Sequence, residues 1–67
     1  MKIHINGNFE VFEEEKITPE QLITFLKLKG KRFAIERNGE IIPKNNFDGI
    51  YINDGDKIEI IGAVGGG

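Results

Sequence analysis

Residues 2–5 alternate, with Ile3 and Ile5 on one side and Lys2 and His4 on the other. A period of two predicts a β-strand with one buried face. Asn6-Gly7-Asn8 follows, and Phe9 and Val11 resume the alternation. Asn-Gly between alternating runs is a strong hairpin signal. Its register has two solutions. A two-residue turn sets Phe9 opposite His4 and on its face. A three-residue loop, 6–8, pairs Ile5 with Phe9 and places both in the core. The hydrophobic pattern favours the longer loop, because a slip of one residue exchanges the faces of a whole strand.

Glu13-Glu14-Glu15-Lys16 reads as a solvated connection. Thr18-Pro19-Glu20-Gln21 then carries the signals of a helix start: Thr18 as N-cap, Pro19 at the first helical position and Gln21 closing a capping box, with Ile17 stapled against Leu22. Leu22, Phe25 and Leu26 fall at helical spacing, Ile23 widens the stripe, and Gly30 is the expected left-handed cap. A third strand is predicted over Phe33–Arg37, a second hairpin turn at Asn38-Gly39 and a fourth strand over Glu40–Ile42, which Pro43 stops. Residues 44–47 read as a short helical turn with Phe47 plugging the core, and 50–52 as extended. Residues 53–56 form a tight turn, and Lys57–Ile61 is the last strand, with Ile58 and Ile60 facing one way. This order predicts an α+β domain, a mixed sheet wrapped on one main helix that covers Ile3, Ile5, Val11, Ile58 and Ile60.

Sixty-seven residues make one small domain, 1–67, of a size that buries only about 60% of its unfolded surface. There is no Cys and a single His, so neither a disulfide framework nor a structural zinc site is expected, and the lack of Cys fits a reducing compartment. The opening Met1-Lys2-Ile3-His4 lacks the apolar run of a signal peptide, and no segment approaches the ~20 apolar residues of a membrane span. A net charge of −2 with acids and bases intermixed argues against a nucleic-acid partner. Lys27, Lys29, Lys31 and Arg32 cluster, and read as the solvated C-terminal end of the helix, where cations complement the dipole.

Catalysis needs a nucleophile with a base, or paired carboxylates in a pocket. The Ser/Thr residues are Thr18, committed to the cap, and Thr24, on the helix; His4 is a strand residue, Glu13–Glu15 a solvated run, and Asp54 and Asp56 turn chemistry around Gly55. No catalytic residue, metal ligand or cofactor site is expected. The remaining feature is the end, Gly62-Ala63-Val64-Gly65-Gly66-Gly67. Three glycines stabilise no fold, and a loose chain end is mobile. Residues 62–67 are therefore expected to form a flexible tail that threads into a narrow slot on a partner, carboxylate first. A phosphate-binding glycine loop is excluded, because no residues remain to form the helix it must open. A frayed end with no role stays open at this point.

The chain resembles the ThiS family, sulfur carriers of thiamine biosynthesis with the ubiquitin-like β-grasp fold. Met1 through Gly7 is similar to the family's first strand and turn, Ala34 through Lys44 to its central hairpin, Asp54 through Ile61 to its last turn and strand, and Val64-Gly65-Gly66-Gly67 to its terminus. Arg37 departs from the pattern, which has an apolar residue there. The resemblance implies a mixed five-stranded β-grasp sheet and a cytoplasmic carrier that is not itself an enzyme. Gly67 would be the modified residue, adenylated and then converted to a thiocarboxylate. Gly65 and Gly66 would pass through the partner's channel, and Ile61, Ala63 and Val64 would supply apolar docking contacts, with plain packing at a sheet edge the other reading of Ile61. It also implies three partners: an ATP-dependent, E1-like adenylyltransferase, a sulfur-donating enzyme, and a thiazole synthase as acceptor. Two other readings keep the fold: a carrier serving molybdopterin or another acceptor, and an interaction module with an inert tail.

Overall fold

The structure, a computed structural model, describes residues 1–44 and 47–62. The one helix of these residues, α1 (Pro19–Phe25), starts where its capping chemistry dictates. Gln21 N–H donates to Thr18 Oγ1 at 3.1 Å, and Thr18 N–H donates back to Gln21 Oε1 at 2.8 Å. Two of the helix's orphan amide groups are thus satisfied reciprocally. The helix ends earlier than expected. Gly30 is left-handed too, at φ 82°, but Lys27 at φ 58° closes the helix, and Lys27 N–H and Leu28 N–H donate to the carbonyls of Thr24 and Ile23. That is a Schellman closure built without glycine. The early end leaves Phe25 49% exposed, its ring packed 4.7 Å from that of Phe12 rather than sunk in the core.

Among the described residues seven strands accompany the helix: β1 (Lys2–Ile5), β2 (Asn8–Val11), β3 (Lys16–Ile17), β4 (Phe33–Arg37), β5 (Glu40–Ile42), β6 (Ile52–Asn53) and β7 (Lys57–Gly62). Five of them form a mixed sheet in the order β2-β1-β7-β4-β5; β3 and β6 pair separately. The small β3–β6 ladder brings Ile17 opposite Ile52, both buried. The core is Ile3, Ile5, Ile17, Leu22, Ile35, Ile42, Ile52 and Ile58. All but Leu22 are isoleucine, and β-branched side chains suit a pleated, half-buried surface. Phe47 packs against this core from its margin, as expected of it; Asn45 and Asn46 of the expected helical turn lie outside the described residues.

The first hairpin differs from the expected register. Ile5 pairs with Asn8 and His4 with Phe9, so the turn is the two-residue Asn6-Gly7. Both residues have positive φ, 50° and 84°, the type I′ geometry whose twist matches the flanking strands. The turn chemistry overrides the hydrophobic pattern, and Phe9 and Val11 face away from the helix, 61% and 77% exposed. Val11 is therefore not part of the core.

Arg37 resolves its own departure. It follows Phe33 and Ile35 on the helix-side face, opposite the buried Ile58, at the end of the sheet. Its guanidinium escapes burial by reaching out of the core margin, where Nη1 donates to the Tyr51 carbonyl at 2.7 Å. A charge-assisted bond thus ties β4 to the segment entering β6.

Candidate functional site

Strand β7 delivers the chain to residue 62, and it lies in the middle of the sheet. It runs parallel to β1, with His4 opposite Lys57 and Ile5 opposite Ile58, and antiparallel to β4 from Arg37–Ile58 to Phe33–Gly62. Gly62, expected to lie in the tail, is thus a ladder residue of β7.

Both Asn-Gly turns grip this strand, a feature the sequence reading missed. Asn6 N–H donates to the Ile58 carbonyl at 2.9 Å, and Asn6 Oδ1 accepts from Ile60 N–H at 2.8 Å. On the other flank Asn38 N–H donates to the Lys57 carbonyl at 2.8 Å, and Asn38 Oδ1 accepts from Lys57 N–H at 2.9 Å. Each asparagine sits in the left-handed region, which its short amide tolerates, and each uses main chain and side chain together. Where β1 ends at Ile5, the Asn6 side chain prolongs the pairing for two more residues of β7. The available signal was the amide itself: the first turn residue must take positive φ, and among the residues that do so readily, asparagine also carries an acceptor.

Of the expected docking residues, Ile61 is described. It lies on the outer face beside Ala34, 49% exposed although its strand is central. It belongs to the sheet surface facing away from the helix, the face that also carries Phe9, Val11 and, opposite Glu36 on β5, Ile41. Glu59 stands directly opposite Glu36 on that face, an arrangement of like charges that opposes pairing. Ala63, Val64, Gly65, Gly66 and Gly67 lie outside the described residues.

Several other polar groups have structural partners. His4 stands edge-on to the Phe9 ring, centroids 4.0 Å apart at 77°, and Lys2 Nζ lies 4.3 Å from the same ring. Thr24 Oγ1 donates to the Glu20 carbonyl. Asp54 accepts from Lys2 N–H at 2.7 Å, and Asp56 accepts from Asn53 N–H and from Asn38 Nδ2. The Met1 ammonium donates to the Phe12 and Glu14 carbonyls, fixing the chain ahead of the acidic run. Among the described residues no cluster of His, Cys, Asp or Glu could hold a metal ion, and no helix is long and apolar enough to cross a membrane. What the geometry does provide is a central strand clamped at two points, by Asn6 on one flank and Asn38 on the other.

This architecture is the ubiquitin-like β-grasp. The thiamine biosynthesis protein ThiS of Geobacter metallireducens superposes on it with a TM-score of 0.86 at 29% identity, each chain covered in full. A family model described as the ThiS family matches residues 3–67, and the chain belongs to that family. The sulfur carrier protein ThiS of Bacillus subtilis is 34% identical over 65 residues, 97% of this chain and 98% of that one. A thiazole synthase of Paramagnetospirillum magneticum is 42% identical over 67 residues; the whole of this chain spans only 20% of that protein. A ThiS-like segment therefore also occurs inside a thiazole synthase.

Proposed function

We propose that this chain is a sulfur carrier of thiamine biosynthesis in which the Gly67 carboxylate is the group acted upon. The observation that carries the reading is the family match itself, which runs through the terminal glycines to residue 67. The clamped β7 supports it, because a rigid strand fixes where the following residues emerge.

A carboxylate is a poor electrophile, since its negative charge repels nucleophiles. Attack of a Gly67 carboxylate oxygen on the α-phosphorus of ATP releases pyrophosphate and makes an acyl-adenylate, a mixed anhydride with a good leaving group. A sulfur nucleophile then displaces AMP, and the product is a terminal thiocarboxylate. That group is acidic and soft, and so is nucleophilic near neutral pH. An E1-like adenylyltransferase performs the activation, a separate enzyme donates the sulfur, and thiazole synthase receives it. Gly65 and Gly66 leave the channel and the carbonyl unobstructed, and Ile61, with Ala63 and Val64, supplies apolar contact beside the tail. The chain supplies an end to be modified and a surface to be recognised; the chemistry is its partners'.

The test is ATP–pyrophosphate exchange with the cognate adenylyltransferase. Exchange is expected with the full chain, lost on deleting Gly66-Gly67 and impaired by Gly66→Val, whose β-branched side chain stiffens the backbone. The thermal midpoint should stay unchanged on deletion, and His4→Ala should leave exchange intact. Full exchange by the deletion variant would refute the reading.

A further inference from the structure

Of the cationic cluster, Lys27 sits at the closing turn of the helix as its sequence suggests, and the other three have a different setting. The last turn of α1 contains no basic residue, and Lys29, Lys31 and Arg32 follow the helix, so its dipole does not account for them. Instead they rim a groove of about 600 Å³ between α1 and the start of β4. Ile23, Phe33 and Phe47 form its apolar floor, and Lys44 closes the rim with its Nζ 5.2 Å from the Phe33 ring centroid. Glu20 is the single acidic residue of the lining. Four cations therefore gather around one apolar depression in a chain whose net charge is −2. The outer sheet face is elsewhere, because Phe33 shares the helix-side face with the buried Ile35.

We propose that this groove docks an acidic segment of a partner protein that carries a large apolar side chain. The apolar side chain covers Phe33, Phe47 and Ile23, and the flanking carboxylates meet Lys29, Lys31, Arg32 and Lys44. Charge complementarity selects the occupant: an apolar floor under a cationic rim matches alternating acidic and apolar residues, and it steers their approach. Nucleic acid fits less well, since the remainder of the chain is acidic and would repel a long phosphate backbone. Phe33 pairs with Gly62, so the groove opens at the end of the sheet where β7 releases the chain. A partner that engages residues beyond Gly62 thus has the groove within reach on the helix side.

The test is a titration of the full ¹⁵N-labelled chain with a synthetic peptide alternating glutamate with leucine and phenylalanine. Saturable shifts are expected at the Ile23, Lys31 and Phe33 amides, with Phe9, Val11 and Ile61 unmoved. The double variant Lys31→Glu/Arg32→Glu should keep the wild-type spectrum and bind about tenfold more weakly, the scale of two exposed ion pairs turned repulsive. Added salt should weaken the wild-type complex. The proposal is overturned by an absence of saturable shifts, by shifts centred on the outer face, or by undiminished binding to the charge-reversed variant. Displacement of the peptide by ATP or by a duplex oligonucleotide would also overturn it, assigning the groove to phosphates. The peptide needs neither ATP nor Gly67, so this result and the exchange assay succeed or fail separately.

Discussion

The β1–β2 and β4–β5 hairpins turn on the same dipeptide in the same left-handed geometry, with Asn6 and Asn38 at φ 50° and 51° and Gly7 and Gly39 at 84° and 90°. Their strands use it differently. In β4–β5, Ile35 faces Ile42 and both are buried, so the turn and the hydrophobic pattern agree. In β1–β2, the inward pairs are Ile5 with Asn8 and Ile3 with Glu10, and the apolar residues of β2 point outward. A two-residue turn fixes register without regard to which face of the returning strand is apolar. The mismatch is tolerable because β2 is an edge strand, and its result is an exposed Phe9 and Val11 on the face that holds Ile61. Turn geometry, rather than the burial pattern, thus decides which face of β2 meets water.

The widest separation between the hairpins is expected in core truncation. Ile35→Ala should cost about 2–5 kcal/mol, as large-to-small core changes do, which on a domain of this size approaches complete unfolding. Phe9→Ser, at an exposed site of the first hairpin, should cost only about 1 kcal/mol, the scale of its edge contact with His4 and its contact with the Lys2 ammonium. Urea midpoints measure both, and equal losses would place Phe9 in the core after all.

Next in size are the glycines, where the hairpins should behave alike. A Cβ added at Gly7 or Gly39 meets no neighbouring atom, so the cost of Gly7→Ala or Gly39→Ala is conformational. The left-handed backbone costs an L-residue about 1–2 kcal/mol. Thermal midpoints should fall together; a fall at Gly39 alone would show that the first turn is the longer loop.

The smallest effects should come from the clamps. Asn6→Gly and Asn38→Gly keep the left-handed turn backbone and each remove a side-chain acceptor for a β7 amide, at about 1 kcal/mol. Amide exchange should accelerate at Ile60 in the first variant and at Lys57 in the second. Acceleration at neither would mean that the strand is held by its ladders alone.

These pairs also show what the sequence discloses. The capping box at Thr18, the strand at 33–37 and the Asn38-Gly39 turn were legible because local chemistry and burial point the same way there. The register of the first hairpin was not, because a strand with one polar and one apolar face does not announce which is inside. The Schellman closure at Lys27 was hidden for a related reason: glycine is the usual left-handed residue, and Gly30 stood three positions on. The roles of Asn6 and Asn38 were hidden, because they depend on β7 arriving between them from far along the chain. The extra β3–β6 ladder, two residues a side, is too short to leave a periodic trace.

The central claim is that the Gly67 carboxylate is converted, and the most direct measurement is the intact mass of the chain isolated from its own cells under thiamine limitation, with fragmentation of the C-terminal peptide. The account predicts a population in which sulfur replaces one oxygen of the terminal carboxylate, confined to Gly67. A chain carrying only the ordinary Gly67 carboxylate under those conditions would contradict it.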